Sequence, residues 1–258
     1  MVNEVKEYVD FLLNKNLRAD GRKFDEYRKP IKIEYGISSK SAEGSARVII
    51  GETEVVAGVK LAVDTPYPDT PDEGTIMVNV ELLPLSNPDF ELGPPPIDAI
   101  ELSRVVDRGI RESKSIDFKK LCIKKGEKSW IVFIDIYPIN DAGNLFDAAN
   151  LAALAALKDT KYPKYEDGKV IYERTNKPLE LENLPIACTL FKIGDKLLID
   201  TTKEEESAAD ARLTVVTLED GSIPAMQKGG EEPITPEEIL KMIDISIDKG
   251  KELRKYFK

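Results

Sequence analysis

Apolar side chains recur at Val2, Val5, Val9 and Leu12, the spacing of one helical face, and predict a helix over residues 2–13. After the turn Arg18-Ala-Asp-Gly-Arg22 the pattern shifts to strands at Ile31–Ile33, Ala46–Ile50 and Thr53–Leu61. Gly51-Glu52 joins the last two as a hairpin. A loop rich in Pro and Asp (64–74) leads into a strand over Thr75–Leu83, and Pro94-Pro-Pro96 breaks the chain before a helix from about 97 to 113. Trp130–Tyr137 is a nearly continuous apolar strand, followed by an alanine-rich helix over 146–158. Residues 159–184, with Tyr162, Tyr165 and Tyr172, read as a polar connection. Ala187–Phe191 and Lys196–Ile199 flank Gly194-Asp195 as a second hairpin, and Leu213–Leu218 and Ser222–Met226 flank a turn at Asp220-Gly221. Thr235-Pro236-Glu237-Glu238 is a capping box with Pro at the first helical position. The helix it opens turns Ile239, Met242, Ile243, Ser246, Gly250 and Leu253 inward.

Two stretches echo each other. SARVIIGETEVV (45–56) and ACTLFKIGDKLL (187–198) share a small residue, an apolar strand, Gly plus an acid, and a second strand. The expectation is a single α+β domain over 1–258 built from two pseudo-repeated halves. The halves span about 30–160 and about 185–258, with 159–184 between them.

Composition narrows the chemistry. The 258 residues contain no histidine, which excludes Ser-His-Asp triads, His-based zinc sites and histidine proton shuttles. The 37 Lys and Arg against 47 Asp and Glu leave a charge of −10, which argues against indiscriminate binding to nucleic acid and confines any such contact to a local stripe. Cys122 and Cys188 lie in apolar runs without a CxxC partner and read as reduced core residues of a cytoplasmic protein. The acidic, amphipathic start is no signal peptide, and no apolar run reaches membrane-spanning length. Abundant Lys and Glu with one glutamine, Gln227, lean toward heat adaptation.

Four segments could carry chemistry. On the helix at 97–113, Arg104, Arg108 and Arg111 fall on one face, opposite Ala99, Leu102, Val106 and Ile110. Such a ladder suits successive phosphates of a single strand, although Glu101, Asp107 and Glu112 could instead neutralise it as a solvated face. The run from Asp200 to Asp210, with Glu204, Glu205 and Glu206, either holds a cation or general acid or simply opens a helix. Asn140-Asp-Ala-Gly-Asn144 could present N–H groups to an anion, or let Asp141 or Asn144 cap the next helix. The acidic loop 64–74 is a surface loop suited to a basic partner, and Arg18–Arg22 reads as an ordinary turn.

Taken in order, several short motifs resemble one family. They are Arg18-Ala-Asp-Gly-Arg22, Gly44-Ser-Ala-x-Val48 with Gly51-x-Thr53, Glu101-Leu-Ser-Arg104, Gly143-Asn-Leu-Phe-Asp147-Ala-Ala149 and Asp210-x-Arg-Leu-Thr-Val215. Over nearly the whole chain this series resembles the RNase PH-type ring subunits of the exosome, and among these the non-catalytic RNase PH-like subunit of archaea. The resemblance implies an RNase PH-like fold of two β-α-β-type halves, of the kind also seen in the second domain of ribosomal protein S5. It also implies a hexameric ring, a trimer of heterodimers with a catalytic sister subunit, that degrades single-stranded RNA from the 3′ end by phosphorolysis beneath RNA-binding cap proteins.

Catalytic members of that family carry a basic segment before the helix, hydroxyl or guanidinium donors at the glycine turn, and a pair of aspartates after a strand. Here the first is Leu92-Gly-Pro-Pro-Pro96 and the second Ala142-Gly-Asn-Leu145. Of the aspartates, Asp210 matches one position and Glu204 or Glu206 falls at the other, a vestigial acidic site. The implied role is a subunit inactive by itself, with no cofactor or metal of its own. It would support a partner that uses inorganic phosphate, with Mg²⁺ as a further candidate, and would lend Arg104, Arg108 and Arg111 to RNA. The competing readings are a phosphorolytic exoribonuclease or nucleotidyltransferase in its own right, and an interaction scaffold that never touches RNA.

Overall fold

The structure is a computed structural model that describes residues 2–257, with side chains from Glu4 onward. The Val2 side chain of the first helical face, and the two ends of the expected 1–258 span, lie outside the described residues.

Alternation of covered and half-covered positions builds the first sheet. Gly44–Ile50 (β2) from Ala46 onward and Thr53–Asp64 (β3) as far as Leu61 bury every second side chain, and the two strands pair antiparallel through the two-residue turn at Gly51-Glu52. Ile31–Tyr35 (β1) adds to the outer edge of β2. Lys128–Asn140 (β6) runs antiparallel to β3 on one side and parallel to Thr75–Val80 (β4) on the other. Cys122–Lys124 (β5) folds back on the start of β6. The second sheet orders its strands as Lys196–Ile199 (β10), Ile186–Ile193 (β9), Ala211–Thr217 (β11) and Ala225–Gly230 (β12), all antiparallel.

The two sheets share one helix. Leu145–Asp159 (α3) is buried from Asp147 to Leu157 and touches β1, β2, β3, β6 and β9. Alanine at 148, 149, 152, 153, 155 and 156 removes the bulk that would hold both sheets apart. Ile97–Glu112 (α2) packs on β4, α3 and β12, and Pro236–Arg254 (α5) covers β9 and β11. Val2–Asn14 (α1) lies on the short helix Lys203–Ala208 (α4). The two echoing stretches fold as equivalent hairpins: Gly51 (φ 59°) and Gly194 (φ 58°) both take left-handed backbone in two-residue turns, which glycine adopts without strain.

Three expectations need correction. The connection 159–184 is a two-stranded ribbon, Lys161–Glu166 (β7) and Lys169–Pro178 (β8), turning at Asp167-Gly168. Its outer face is charged, so it lacks the apolar alternation that announces a strand. The last strand begins at Ala225 rather than Ser222, since Pro224 has no N–H to offer the ladder. Cys188 is buried, but Cys122 is only half-buried on the short β5.

Candidate functional site

The arginine face divides in two. Burial of Ala99, Leu102, Val105, Val106 and Ile110 fixes how α2 lies, leaving Arg104 and Arg108 exposed. Neither has a carboxylate partner among the described residues; Arg108 Nη1 donates to the Gln227 side-chain oxygen at 3.1 Å. Arg111 is engaged instead. Its Nε and Nη2 grip Asp107 at 3.1 and 2.9 Å, Nη2 donates to the Ile76 carbonyl at 3.1 Å, and the guanidinium lies 5.5 Å from the Phe118 ring. Glu101 turns away from the stripe to Arg212, at 2.5 Å, and that guanidinium lies 4.3 Å from the Phe146 ring.

The glycine turn lies at the wall of a cleft of about 390 Å³ lined by Asp141, Leu145, Phe146, Lys203, Glu206 and Arg212, among others. Gly143 (φ 98°) sits where a Cβ would run into the Thr201 carbonyl, so strand end and turn are pressed together. Asn144 follows in left-handed backbone (φ 59°) at the head of α3. Neither Asn144 nor Asp141 caps the helix by its side chain, contrary to expectation. Asn144 Nδ2 donates to Asp147 at 3.1 Å and Asp200 at 3.0 Å, while Asp141 accepts from the Gly143 N–H at 3.1 Å. The Asn144 N–H, the donor an anion would seek, points at the Glu206 carboxylate at 2.6 Å. Lys203 lies 2.9 Å from Asp141 and 3.2 Å from Glu206. Burial raises the Glu206 pKa, against the pull of Lys203 and the Asn144 N–H.

The three carboxylates of the expected acidic site do not converge. α4 splits them: Glu204 points to solvent, Glu206 faces the turn, and the middle glutamate, Glu205, closes a capping box with Thr202. Asp210, beyond the helix, accepts from the Gly194 N–H at 2.7 Å and pairs with Lys6 at 2.8 Å. Among the described residues no three Cys, Asp or Glu side chains form a metal cage.

The unexpected constellation is the one the Arg18–Arg22 turn creates. Arg18, buried, clasps Glu205 at 2.8 and 2.6 Å and donates to the carbonyls of Ile199 and Asp200. Asp200, also buried, accepts from Arg22, from the Arg28 guanidinium and from Asn144. Arg28 reaches on to the carbonyls of Ala142 and Gly143 at 2.5 and 2.9 Å. This lattice ties the N-terminal segment, the end of β10 and the glycine turn into one unit. Beneath it, burial pushes the Asp147 carboxyl up to about 7, opposed by hydrogen bonds that include Tyr27 Oη at 2.9 Å.

Residues 27–163 match the 3′ exoribonuclease family, domain 1, and residues 183–249 match domain 2 of the same family. The exosome complex component Rrp42 of Methanosarcina mazei is 49% identical over 249 residues, covering 96% of this chain and 91% of its own. That of Archaeoglobus fulgidus is 46% identical, covering 100% and 97%. Among solved structures, a chain of the Archaeoglobus fulgidus exosome with RNA bound to the active site superposes with a TM-score of 0.92 at 46% identity, covering 100% of this chain and 99% of that one. A chain of an archaeal exosome core gives 0.88 at 44% identity, covering 99% and 97%. Rice Rrp46, at 18% identity and a TM-score of 0.68, shares the fold.

Proposed function

The chain belongs to the 3′ exoribonuclease family of RNase PH, and we propose that it is the non-catalytic ring subunit of an archaeal exosome. In this reading the two matched segments are halves of one domain around α3. The chain alternates with a catalytic RNase PH-like sister subunit in a trimer of heterodimers. RNA-binding cap proteins stand above the ring, which works in the cytoplasm.

One observation carries the non-catalytic assignment: Glu206 occupies the Asn144 N–H and, with Asp141, holds Lys203. Phosphorolysis needs a second phosphate beside the scissile phosphodiester, its charge offset by cations and N–H donors. Here those donors already hold a tethered carboxylate, which would repel phosphate. Phosphate is therefore the partner's substrate. Mg²⁺, if the ring uses it, would belong to the partner too, since Lys203 already balances Asp141 and Glu206 while Glu204 and Asp210 face elsewhere.

The chain's contribution to RNA is the exposed pair Arg104 and Arg108, one helical turn apart on the open face of α2. Arg111, committed to Asp107, braces that face rather than reaching RNA. A salt-sensitive contact with any base sequence is expected of such a phosphate-directed pair, and only within a ring whose other subunit supplies more positive field.

Phosphate-dependent release of nucleoside diphosphates from 3′-labelled RNA tests the assignment. The isolated chain should be inactive and should restore activity to its sister subunit when the two are mixed. Turnover by the isolated chain would overturn the proposal.

A further inference from the structure

The charge of −10 is unevenly laid out. Residues 119–128 and 161–178 hold ten Lys and Arg against four acids, while the rest of the chain holds 27 against 43. Folding brings these two stretches together. Trp130 at the start of β6 meets Tyr162 and Tyr165 of β7 edge-on, at 5.6 and 5.8 Å between ring centres. Lys128 lies 5.8 Å from the Tyr165 ring, against the Asp167-Gly168 turn. The β5–β6 hairpin and the β7–β8 ribbon thus form one outer surface.

Several of its charges are already spent on neighbours. Lys120 pairs with Glu180 and Glu182, Lys124 with Glu127, Lys164 with Glu173 and Arg174 with Asp159. Lys119, Lys125, Lys128, Lys161, Lys169 and Lys177 have no ion-pair partner among the described residues. Two of these rest on aromatic rings instead, Lys128 on Tyr165 and Lys177 on Tyr162 at 4.9 Å. Tyr172 is 63% exposed, with Lys60 4.1 Å from its ring.

We propose that this lysine-tyrosine surface is a second contact for single-stranded RNA, separate from the arginine pair on α2. The chemistry is that of strand tracking: unpaired ammonium groups for phosphates, and an exposed ring on which a base can stack whatever its identity. A protein partner is the weaker match, since the core of a protein interface is depleted of lysine and enriched in aromatic and apolar side chains, whereas only Ile171 and Tyr172 are exposed large hydrophobics in these lysine-rich segments. The inference extends the RNA-binding reading: a strand held at α2 gains further contacts on the outside of the same subunit.

Photo-crosslinking of 4-thiouridine RNA to the full chain, alone and in the assembled ring, separates the outcomes. Crosslinked peptides from 119–128 or 161–178 are expected beside those from α2. Crosslinks at α2 alone overturn this surface and leave the arginine reading standing; crosslinks on the ribbon alone do the reverse. Their absence from both removes both. In parallel, the Lys125→Glu/Lys169→Glu/Lys177→Glu protein should bind a long oligonucleotide at least about ten-fold more weakly near 0.1 M salt, with a shallower salt dependence. Reversal of Lys40, Lys241 and Lys251, exposed elsewhere, should change it far less. An equal loss from both sets would reduce the effect to net charge and refute the surface.

Discussion

Replacing Arg104 and Arg108 by glutamine in the assembled ring tests the RNA reading most directly. Both side chains are exposed and glutamine has a helix propensity close to that of arginine, so α2 should fold as before. Arg108 gives up one hydrogen bond to Gln227, a neutral acceptor, so little folding energy is at stake. If each guanidinium neutralises one phosphate, the logarithm of the binding constant should lose about 0.7 of salt slope per contact, or about 1.4 for the pair. At 0.1 M salt that is about five-fold per contact and about 25-fold together. Fluorescence anisotropy with a labelled oligonucleotide, in phosphate-free buffer from 50 to 300 mM salt, reads affinity and slope together. Arg111→Gln is the internal control. It breaks a surface ion pair worth about 0.3–0.5 kcal/mol and should lower stability slightly while leaving the slope alone. An unchanged slope in the double variant, or an equal drop in Arg111→Gln, would refute the division of the stripe into free and committed arginines.

Glu206→Ala should uncover the Asn144 N–H and release Lys203, so that tens of millimolar phosphate raise the variant's melting temperature more than the wild type's; an identical response would sink the idea that Glu206 keeps anions out. Gly143→Ala should destabilise by more than about 2 kcal/mol, because the new Cβ meets the Thr201 carbonyl and the backbone is left-handed; an unchanged urea midpoint would contradict the close approach. Asp147 holds its proton up to about 7 in the native state and releases it near 4 when unfolded, so the folded form binds more protons between these values. Its contribution is therefore complete on the acid side and lost as pH rises through about 7. Relative to wild type, Asp147→Asn should gain stability by a few kcal/mol between pH 5 and pH 8, read from urea midpoints at each pH.

How much of this the sequence announced depended on how local the cause was. The hairpins at Gly51-Glu52 and Gly194-Asp195 were legible because a two-residue turn and the alternation beside it are encoded within a dozen residues. The capping box at Thr235 was legible for the same reason. The ribbon at 161–178 carried its own signal in Asp167-Gly168 between Tyr165 and Val170, but charged outer positions hid the strand period. Arg18, Arg22 and Arg28 could not be read as one network, since Glu205, Asp200 and the Gly143 carbonyl that join them lie more than a hundred residues away and an arginine in a turn is normally solvated. Arg111 and Arg104 sit on one helical face; the ion pair with Asp107 one turn back, together with the contacts to Ile76 and Phe118, tells them apart. Of the acidic run, the glutamate with the deepest structural role was Glu205: Thr202-x-x-Glu205 marks it as the close of a capping box, but nothing nearby in the chain marks it as the partner of Arg18.

The placement of Glu206 gives the head of α3 an acceptor carried by the chain itself. The first N–H groups of α3 have no partner within the helix, and a helix head in a cleft needs an acceptor of negative charge. A substrate phosphate would satisfy that need only when bound. A carboxylate carried on α4 satisfies it permanently, and Lys203 and Asp141 balance the resulting charge. The strand end at Asp200 and the turn at Gly143 are then held in the same relation whether or not the cleft contains a ligand, because Arg28 spans both. The result is a rigid cleft wall. It suits a subunit whose surface must stay fixed beside a partner's active site, and it accounts for part of the acidic excess as internal structure rather than as a surface hostile to RNA.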